Sequence, residues 1–214
     1  MSIAKSVSLD ALRPTLGFQS ATLAISVAVA TAILALIYGQ TKDPIAQAQA
    51  QDTINSLAQV LPEGSYDNDV GADTLKAERN GKPVVVHLAR KAGGVTAVVL
   101  ELTERGYSGE IGMVVGINRE GFITGVRVTR HTETPGLGDK IERAKGDWVL
   151  AFEGKGLDTP SANSWAVKKD GGIFDQFAGA TITPRAVVKG VKGGLELFAH
   201  QKDTWLASPP PAGH

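Results

Sequence analysis

The chain opens with a long stretch of apolar residues. No charged residue occurs between Arg13 and Lys42, and residues 18–38 (FQSATLAISVAVATAILALIY) are apolar apart from Gln19 and small hydroxyl side chains. A helix of this length extends about 30 Å, which matches the hydrocarbon core of a bilayer. We therefore predict a transmembrane helix over residues 18–38.

Two other structures can produce such a stretch. A buried helix of a soluble protein is seldom this long without a charge. A cleaved signal peptide has a shorter apolar region of about 7–15 residues and a cleavage site close behind it. The small residues Ala46-Gln47-Ala48 lie well beyond the end of the apolar stretch. An uncleaved, single-pass anchor is therefore the favoured prediction.

The charges on either side of the stretch indicate its orientation. Lys5, Arg13 and the terminal amine precede it, whereas Lys42 follows it beside Asp43. Cytoplasmic flanks carry the excess of basic residues. We expect residues 1–17 to be cytoplasmic and the chain after the anchor to lie on the outer side of the membrane.

The next segment, residues 39–80, is predicted to be a helical linker. Residues 44–61 have a helical spacing of apolar positions that ends at Pro62. The apolar stripe of this helix consists of Ile54, Leu57 and Leu61. Residues 67–73 are polar and interrupted by glycine, so we predict a loop there.

From Pro83 onward the apolar pattern changes to alternation. Residues 83–90 and 95–102 form one pair of predicted strands around a glycine-containing turn, and residues 111–118 and 122–130 form another. Strands joined in this way form an antiparallel sheet. The alternation in the last strand predicts one solvated face.

The rest of the chain is predicted to be irregular and then helical. Residues 131–180 are rich in glycine and polar residues, with short helical pieces near residues 139–144. Thr183 and Pro184 are typical of an N-cap and a first helical residue, and the helix is expected to reach about His200. Its apolar positions are Val187, Val188, Val191, Leu195 and Phe198.

These elements define an α+β protein. A transmembrane helix precedes a domain, predicted over residues 81–205, in which helices flank an antiparallel sheet. Residues 206–214, which include three consecutive prolines, are predicted to be a disordered tail.

Composition removes several classes of function. The 22 basic residues balance the 22 acidic ones, and aromatic residues are only 6% of the chain, so nothing favours nucleic-acid binding. The chain has no cysteine, which excludes disulfides, thiolate nucleophiles and cysteine-ligated metals. Four scattered histidines suggest no metal site, and we predict no catalytic residue.

Thr181 is the candidate for covalent chemistry. Gly179 and Ala180 leave its hydroxyl without bulky neighbours, and it precedes a helix N-terminus whose free N–H groups favour a phosphate. Thr181 has no local base, so its modification would need a separate enzyme. Considered alone, the segment is more typical of a flexible linker followed by a helix cap.

Residues 175–181 (DQFAGAT) resemble the flavinylation motif of bacterial FMN-binding domains. In that family a flavin transferase splits FAD and joins FMN through its phosphate to the final threonine. Asp175, Gly179, Ala180 and Thr181 match the motif, and Ala178 replaces its usual serine or threonine. The resemblance implies one covalent FMN, held as a phosphothreonine ester on Thr181.

Two further blocks extend the resemblance over nearly the whole chain. Residues 106–111 (GYSGEI) and 131–138 (HTETPGLG) look like the body of the same domain, and the greatest similarity is to the G subunit of the Rnf electron-transport complex. That family implies a flavoprotein relay in a bacterial inner-membrane translocase, with its domain in the periplasm. Electron transfer between ferredoxin and NAD drives Na⁺ or H⁺ transport there, and the partners are other membrane subunits and the flavin transferase.

The loop over residues 133–138 is predicted to be a wall of the flavin site. Pro135 stiffens it, Gly136 and Gly138 permit close approach of the main chain, and Leu137 can lie on the flavin ring. A purely structural turn is the alternative. The full set of predicted cofactor-binding residues is Thr181, Asp175, Gly179, Ala180, Thr183, Glu133, Thr134, Gly136, Leu137 and Gly138.

Two other functions compete with this prediction. The equivalent subunit of the Na⁺-translocating NADH:quinone oxidoreductase has the same architecture, although its chains are typically longer. An anchored assembly module that never carries flavin is a hypothesis from a different class.

Overall fold

A computed structural model describes residues 9–210, apart from the side chains of residues 9–16, 18, 46, 49 and 50. Most of the predicted cytoplasmic segment is within this range, but residues 1–8 lie outside it, as do residues 211–214 of the predicted tail. The chain divides into two compact units, residues 1–48 and residues 49–214. Every element of the predicted FMN-binding domain belongs to the second unit.

The first helix, α1 (Leu9–Gln59), is longer than predicted. Its segment Gln19–Ile45 is long and apolar enough, by length and composition, to cross a membrane. All described side chains from residue 19 to residue 45 are exposed. The predicted linker helix is the continuation of α1 through Pro44, where one main-chain hydrogen bond is missing but alanine and glutamine favour further helix.

Five antiparallel strands follow in the order of the sequence, β1-β2-β3-β4-β5. They are β1 (Thr74–Arg79), β2 (Lys82–Lys91), β3 (Gly94–Arg105), β4 (Glu110–Asn118) and β5 (Ile123–Arg130). The four predicted strands and the antiparallel sheet are confirmed, and each strand agrees with its predicted bounds to within three residues at either end.

The prediction of a helical linker over residues 39–80 was wrong in its second half. The helix ends at Gln59, and residues 74–79 form the strand β1. The sequence of β1, TLKAER, has only two apolar residues, Leu75 and Ala77, and three charges, because an edge strand is half solvated. Asn80 and Gly81 both have positive φ in the turn to β2. An Asn-Gly pair is the usual signal of a two-residue hairpin, and it was present in the sequence.

The second helix, α2 (Ile182–Leu206), covers one face of the sheet. All five of its predicted apolar positions are buried in the main core with Leu100, Met113 and Val115 of the strands. Two details of the prediction were wrong. The helix continues one and a half turns beyond His200, and Thr183 lies inside its first turn, where its side chain donates to Glu133 instead of capping the helix.

The other face of the sheet is covered in its centre, over β2, β3 and β4, whereas Thr124, Arg127 and Thr129 of β5, the strand for which one solvated face was predicted, are half-buried. Leu57, Val60 and Leu61, at the end of α1 and just after it, join Val70 over four strand residues. Those strand residues are Ala89, Ala97, Val99 and Val114. Burial on both faces explains why the central strands are nearly continuous runs of apolar residues.

Residues 131–180 are irregular, as predicted. In the described part of the chain they contain four 3-10 helices, which are Asp139–Ile141, Trp148–Phe152, Ala162–Ser164 and Lys168–Asp170. Packed aromatic rings stabilise this irregular segment: Phe152, Trp165 and Phe174 contact one another, with ring centroids 4.5–6.3 Å apart.

The chain just after α2 is held in place, although residues 206–214 were predicted to be disordered. The buried guanidinium of Arg90 donates to the carbonyl oxygens of Ser208 and Pro209, at 2.7 and 2.9 Å. Asp73 accepts from Arg90 Nε at 2.6 Å and balances the buried charge. No local sequence pattern indicates a contact between residues so far apart in the chain.

Candidate functional site

A pocket of about 290 Å³ lies where three segments of the second unit meet. These segments are the turn between β3 and β4, the loop after β5 and the turn before α2. The pocket is lined by Tyr107, Glu133, Thr134, Leu137, Gly138, Gly179, Ala180, Thr181, Ile182 and Thr183. Eight predicted site residues are in this lining, whereas Asp175 and Gly136 are outside it.

Thr181 occupies the N-cap position of α2. Ala180 N–H donates to the Phe177 carbonyl at 3.1 Å in the preceding turn, where Gly179 has a φ of 80° that other residues rarely adopt. The Thr181 side chain is half-buried at the pocket, and its main-chain oxygen accepts from Arg185 N–H at 3.3 Å. Main-chain N–H groups in the first turn of a helix have no intrahelical acceptor, so this side of the pocket suits an anion.

The Glu133 carboxylate lies between the three segments and is only 5% exposed. Its Oε1 accepts from the Ser108 amide at 3.0 Å, and its Oε2 accepts from the Thr183 hydroxyl. A Cβ on Gly106 would overlap Glu133 Oε1, and one on Gly138 would lie 2.9 Å from Glu133 Cβ. Glycine at these two positions makes the room that the carboxylate needs.

His131 fixes the main chain at Glu133. The Glu133 amide donates to His131 Nδ1 at 3.1 Å, so Nδ1 carries no proton. The other ring nitrogen, Nε2, lies 2.8 Å from Glu142 Oε1 and therefore holds the proton that this carboxylate accepts. These partners assign the neutral Nε2–H tautomer to His131.

The loop over residues 133–138 forms a tight turn beside the pocket. The N–H groups of Leu137 and Gly138 both donate to the Thr134 carbonyl, at 3.1 and 3.0 Å, and Gly136 has a positive φ of 77°. Gly136 supplies the turn without lining the pocket. The Leu137 side chain is 44% exposed and reaches across to Gly179, 3.7 Å from the point where a Cβ there would lie.

Asp175, which was predicted to bind the cofactor, lies outside the pocket lining. Its carboxylate pairs with Lys168 at 2.6 Å on the surface, and its main-chain oxygen accepts from Trp148 Nε1 at 2.8 Å. A similar surface pair joins Arg185 of α2 to Asp170. The hydrogen bonds from Arg185 lower the pKa of the Asp170 carboxyl and raise the pKa of the guanidinium.

Two lining residues, Tyr107 and Ile182, were not predicted from the sequence. Their side chains are 69% and 48% exposed at the pocket. A large apolar side chain in a Gly-Tyr-Ser-Gly turn, where nothing can bury it, was the available signal for Tyr107. Leu137, Tyr107 and Ile182 together give the pocket an apolar rim suited to a planar aromatic ligand.

Comparison with known proteins defines the class of this domain. Residues 106–196 match the model of the FMN-binding domain family. The matched range contains every residue that lines the pocket. The prediction of an FMN-binding domain is confirmed.

Curated relatives define the family more narrowly. In Cereibacter sphaeroides, the G subunit of the ion-translocating oxidoreductase complex is 50% identical over 86% of this chain and 84% of its own length. Its namesake in Pseudomonas aeruginosa is 45% identical over 87% of this chain and 90% of its own. The chain belongs to this family of G subunits of the ion-translocating oxidoreductase complex, as predicted.

A solved structure is also similar. The crystal structure of Shewanella oneidensis NqrC has 23% sequence identity and a TM-score of 0.47, and the alignment covers 68% of this chain and 74% of that one. Because this identity and this TM-score are low, the assignment to the family rests on the relatives that are similar in sequence.

The residues of the pocket fit FMN. Its phosphate requires a hydroxyl and amide donors, which Thr181 and the first turn of α2 supply. Its ring system requires exposed apolar surface, which Tyr107, Leu137 and Ile182 supply.

Proposed function

We propose that this chain carries one FMN, esterified through its phosphate to the Thr181 hydroxyl, and relays electrons within a membrane complex. The observation that carries the proposal is the position of Thr181. Its side chain lines a pocket with an apolar rim, directly before a helix N-terminus that favours a phosphate. FMN supplies one-electron chemistry when bound, which suits a link between one-electron centres.

Attachment requires a flavin transferase as a partner. The phosphoanhydride bond of FAD breaks, the Thr181 Oγ–phosphorus bond forms, AMP leaves, and the hydroxyl proton passes to a base. Thr181 has no such base among its described contacts, so the transferase supplies it. A covalent bond prevents loss of the cofactor outside the cytoplasm by keeping its effective concentration high.

The surroundings of Thr183 argue against it as the acceptor. It is fully buried and its hydroxyl is engaged by Glu133, whereas the Thr181 hydroxyl lines the open pocket. Ala178, the one departure from the flavinylation motif, is exposed and lies outside the pocket lining. Its effect on attachment is therefore expected to be small.

Membership of the family supports proposals about the partners and the location of this chain. Relatives are named as subunits of ion-translocating oxidoreductase complexes, so we expect other membrane subunits to be partners of this chain. We propose that α1 anchors the chain in the bacterial inner membrane, with residues 1–17 in the cytoplasm and the FMN domain, residues 81–205, in the periplasm. In the complex, electron transfer between ferredoxin and NAD would drive Na⁺ or H⁺ translocation.

The test is the Thr181→Val variant, which keeps the shape of the side chain and removes the hydroxyl. Full-length protein is co-expressed with a flavin transferase, and the intact mass and the fluorescent band in a denaturing gel are recorded. We expect wild type and Thr204→Val, a matched change at an exposed site, to carry one FMN and Thr181→Val to carry none.

Two outcomes would contradict the proposal. A wild-type chain without added mass would favour the flavin-free assembly module. A fluorescent Thr181→Val band would mean that another residue is the acceptor, and peptide mass mapping would identify it.

A further inference from the structure

We propose that the Glu133 carboxylate is the positioning residue of the flavin pocket and that its negative charge sets the redox potential of the flavin. The inference rests on the proposed function, because it concerns the same pocket. It adds a role for a buried anion that lines the pocket and touches all three of its walls.

The first argument is the connectivity of Glu133. Its own main chain belongs to the loop after β5, its Oε1 binds the turn between β3 and β4 through Ser108, and its Oε2 binds the first turn of α2 through Thr183. These are the segments that carry Leu137, Tyr107 and Thr181. One side chain therefore fixes the distances between the ring-contacting residues and the attachment point.

The second argument is the charge of Glu133. Each carboxylate oxygen of Glu133 accepts a hydrogen bond from a neutral donor, and neither contact brings a compensating positive charge. The same oxygens lie near the N-terminus of α2, whose dipole stabilises an anion. None of the described ion pairs involves Glu133, so no basic side chain neutralises it there.

The third argument is the effect of this charge on a bound flavin. Reduction of a bound flavin adds negative charge within the pocket. A fixed anion in the pocket lining opposes this reduction by Coulomb repulsion. Repulsion is strong in this position because Glu133 is only 5% exposed and water does not screen it. The carboxylate is therefore expected to hold the potential at a more negative value than the apolar rim alone would produce.

The experiment separates charge from geometry. Glu133→Gln keeps the shape and removes the charge, whereas Glu133→Asp keeps the charge and shortens the reach to Ser108 and Thr183. Glu110→Gln is the matched control, because it removes an exposed carboxylate at the start of β4. The midpoint potential of the covalent flavin is measured by redox titration of each full-length variant, and flavin content and thermal unfolding report on folding.

We expect the potential to become more positive in Glu133→Gln, to stay near the wild-type value in Glu133→Asp and to be unchanged in Glu110→Gln. Glu133→Met is a second uncharged variant if Glu133→Gln does not fold. A Glu133→Gln potential equal to that of wild type, or a positive shift as large in Glu133→Asp, would overturn the inference. A wild-type chain without covalent flavin would instead overturn the proposed function and this inference with it.

Discussion

Thr181 and Thr183 are the same residue type two positions apart, yet the structure gives them different chemistry. Thr181 lines the pocket and is half-buried, whereas Thr183 is fully buried with its hydroxyl donated to Glu133. A hydroxyl that already donates to a buried carboxylate is shielded from an incoming enzyme. The different surroundings of the two hydroxyls therefore depend on Glu133, a residue that is distant in sequence.

Leu137 provides a prediction at the scale of a single residue. Its exposed side chain borders the pocket, so Leu137→Asp places a negative charge beside the flavin. We expect the flavin to remain attached and its midpoint potential to become more negative, because the added charge opposes reduction. Redox titration of the full-length protein measures the shift.

Ile173→Asp is the control for Leu137→Asp, since Ile173 is 40% exposed and lies outside the pocket lining. Equal midpoint potentials in wild type and Leu137→Asp would mean that the loop over residues 133–138 does not border the flavin. An equal shift in both variants would mean that the effect is not local.

Gly116 and Gly125 show how elements are brought together. They are opposite each other in the β4–β5 register, and both lie against Val60 just after α1. Thr124 Oγ1 donates to the Val60 carbonyl at 2.5 Å in the same place. Because Gly116 and Gly125 have no side chains, the main chain at Val60 can pack directly against β4 and β5.

Gly116→Ala is therefore expected to lower the free energy of unfolding by about 1–3 kcal/mol, the usual cost of overpacking. A Cβ at residue 116 would lie 2.5 Å from the Val60 carbonyl oxygen, so one of the two elements must shift. Chemical denaturation of the detergent-solubilised full chain measures the loss. Gly146→Ala is the control, because a Cβ there meets nothing within 4 Å. Equal stability of the two variants would show that Val60 is not held against the sheet.

On the scale of the whole molecule, the absence of cysteine makes orientation directly testable. A single cysteine can be placed at Lys169, which is exposed in the domain, or at Ser2, which precedes the anchor. With the domain outside, a maleimide that cannot cross the inner membrane should label Lys169→Cys in intact cells. It should label Ser2→Cys only after the inner membrane is permeabilised.

The reverse labelling pattern would place the flavin domain in the cytoplasm. Labelling at both positions in intact cells would be inconsistent with a single membrane span between them. Mass analysis of the same samples reports whether each variant still carries flavin, so misfolding is separable from orientation.

The sequence alone predicted features that depend on local pattern. A long uncharged stretch, alternating strands and apolar positions at helical spacing each report the local environment of nearby residues. The motif around Thr181 and the loop over residues 133–138 identified the family for the same reason. Strand β1 was not predicted, because a solvated edge strand has little apolar alternation. The sequence did contain the Asn80-Gly81 pair that forms the turn to β2.

Tertiary structure decided what depends on contacts between distant segments. It placed Tyr107 and Ile182 at the pocket and left Asp175 on the surface, and it joined Glu133 to Ser108 and Thr183. It also covered the second face of the sheet with Leu57 and Val60, and it held the start of the tail through Arg90. Such contacts produce no periodic pattern in the sequence, because the two partners are far apart in the chain and meet only when the whole chain is packed.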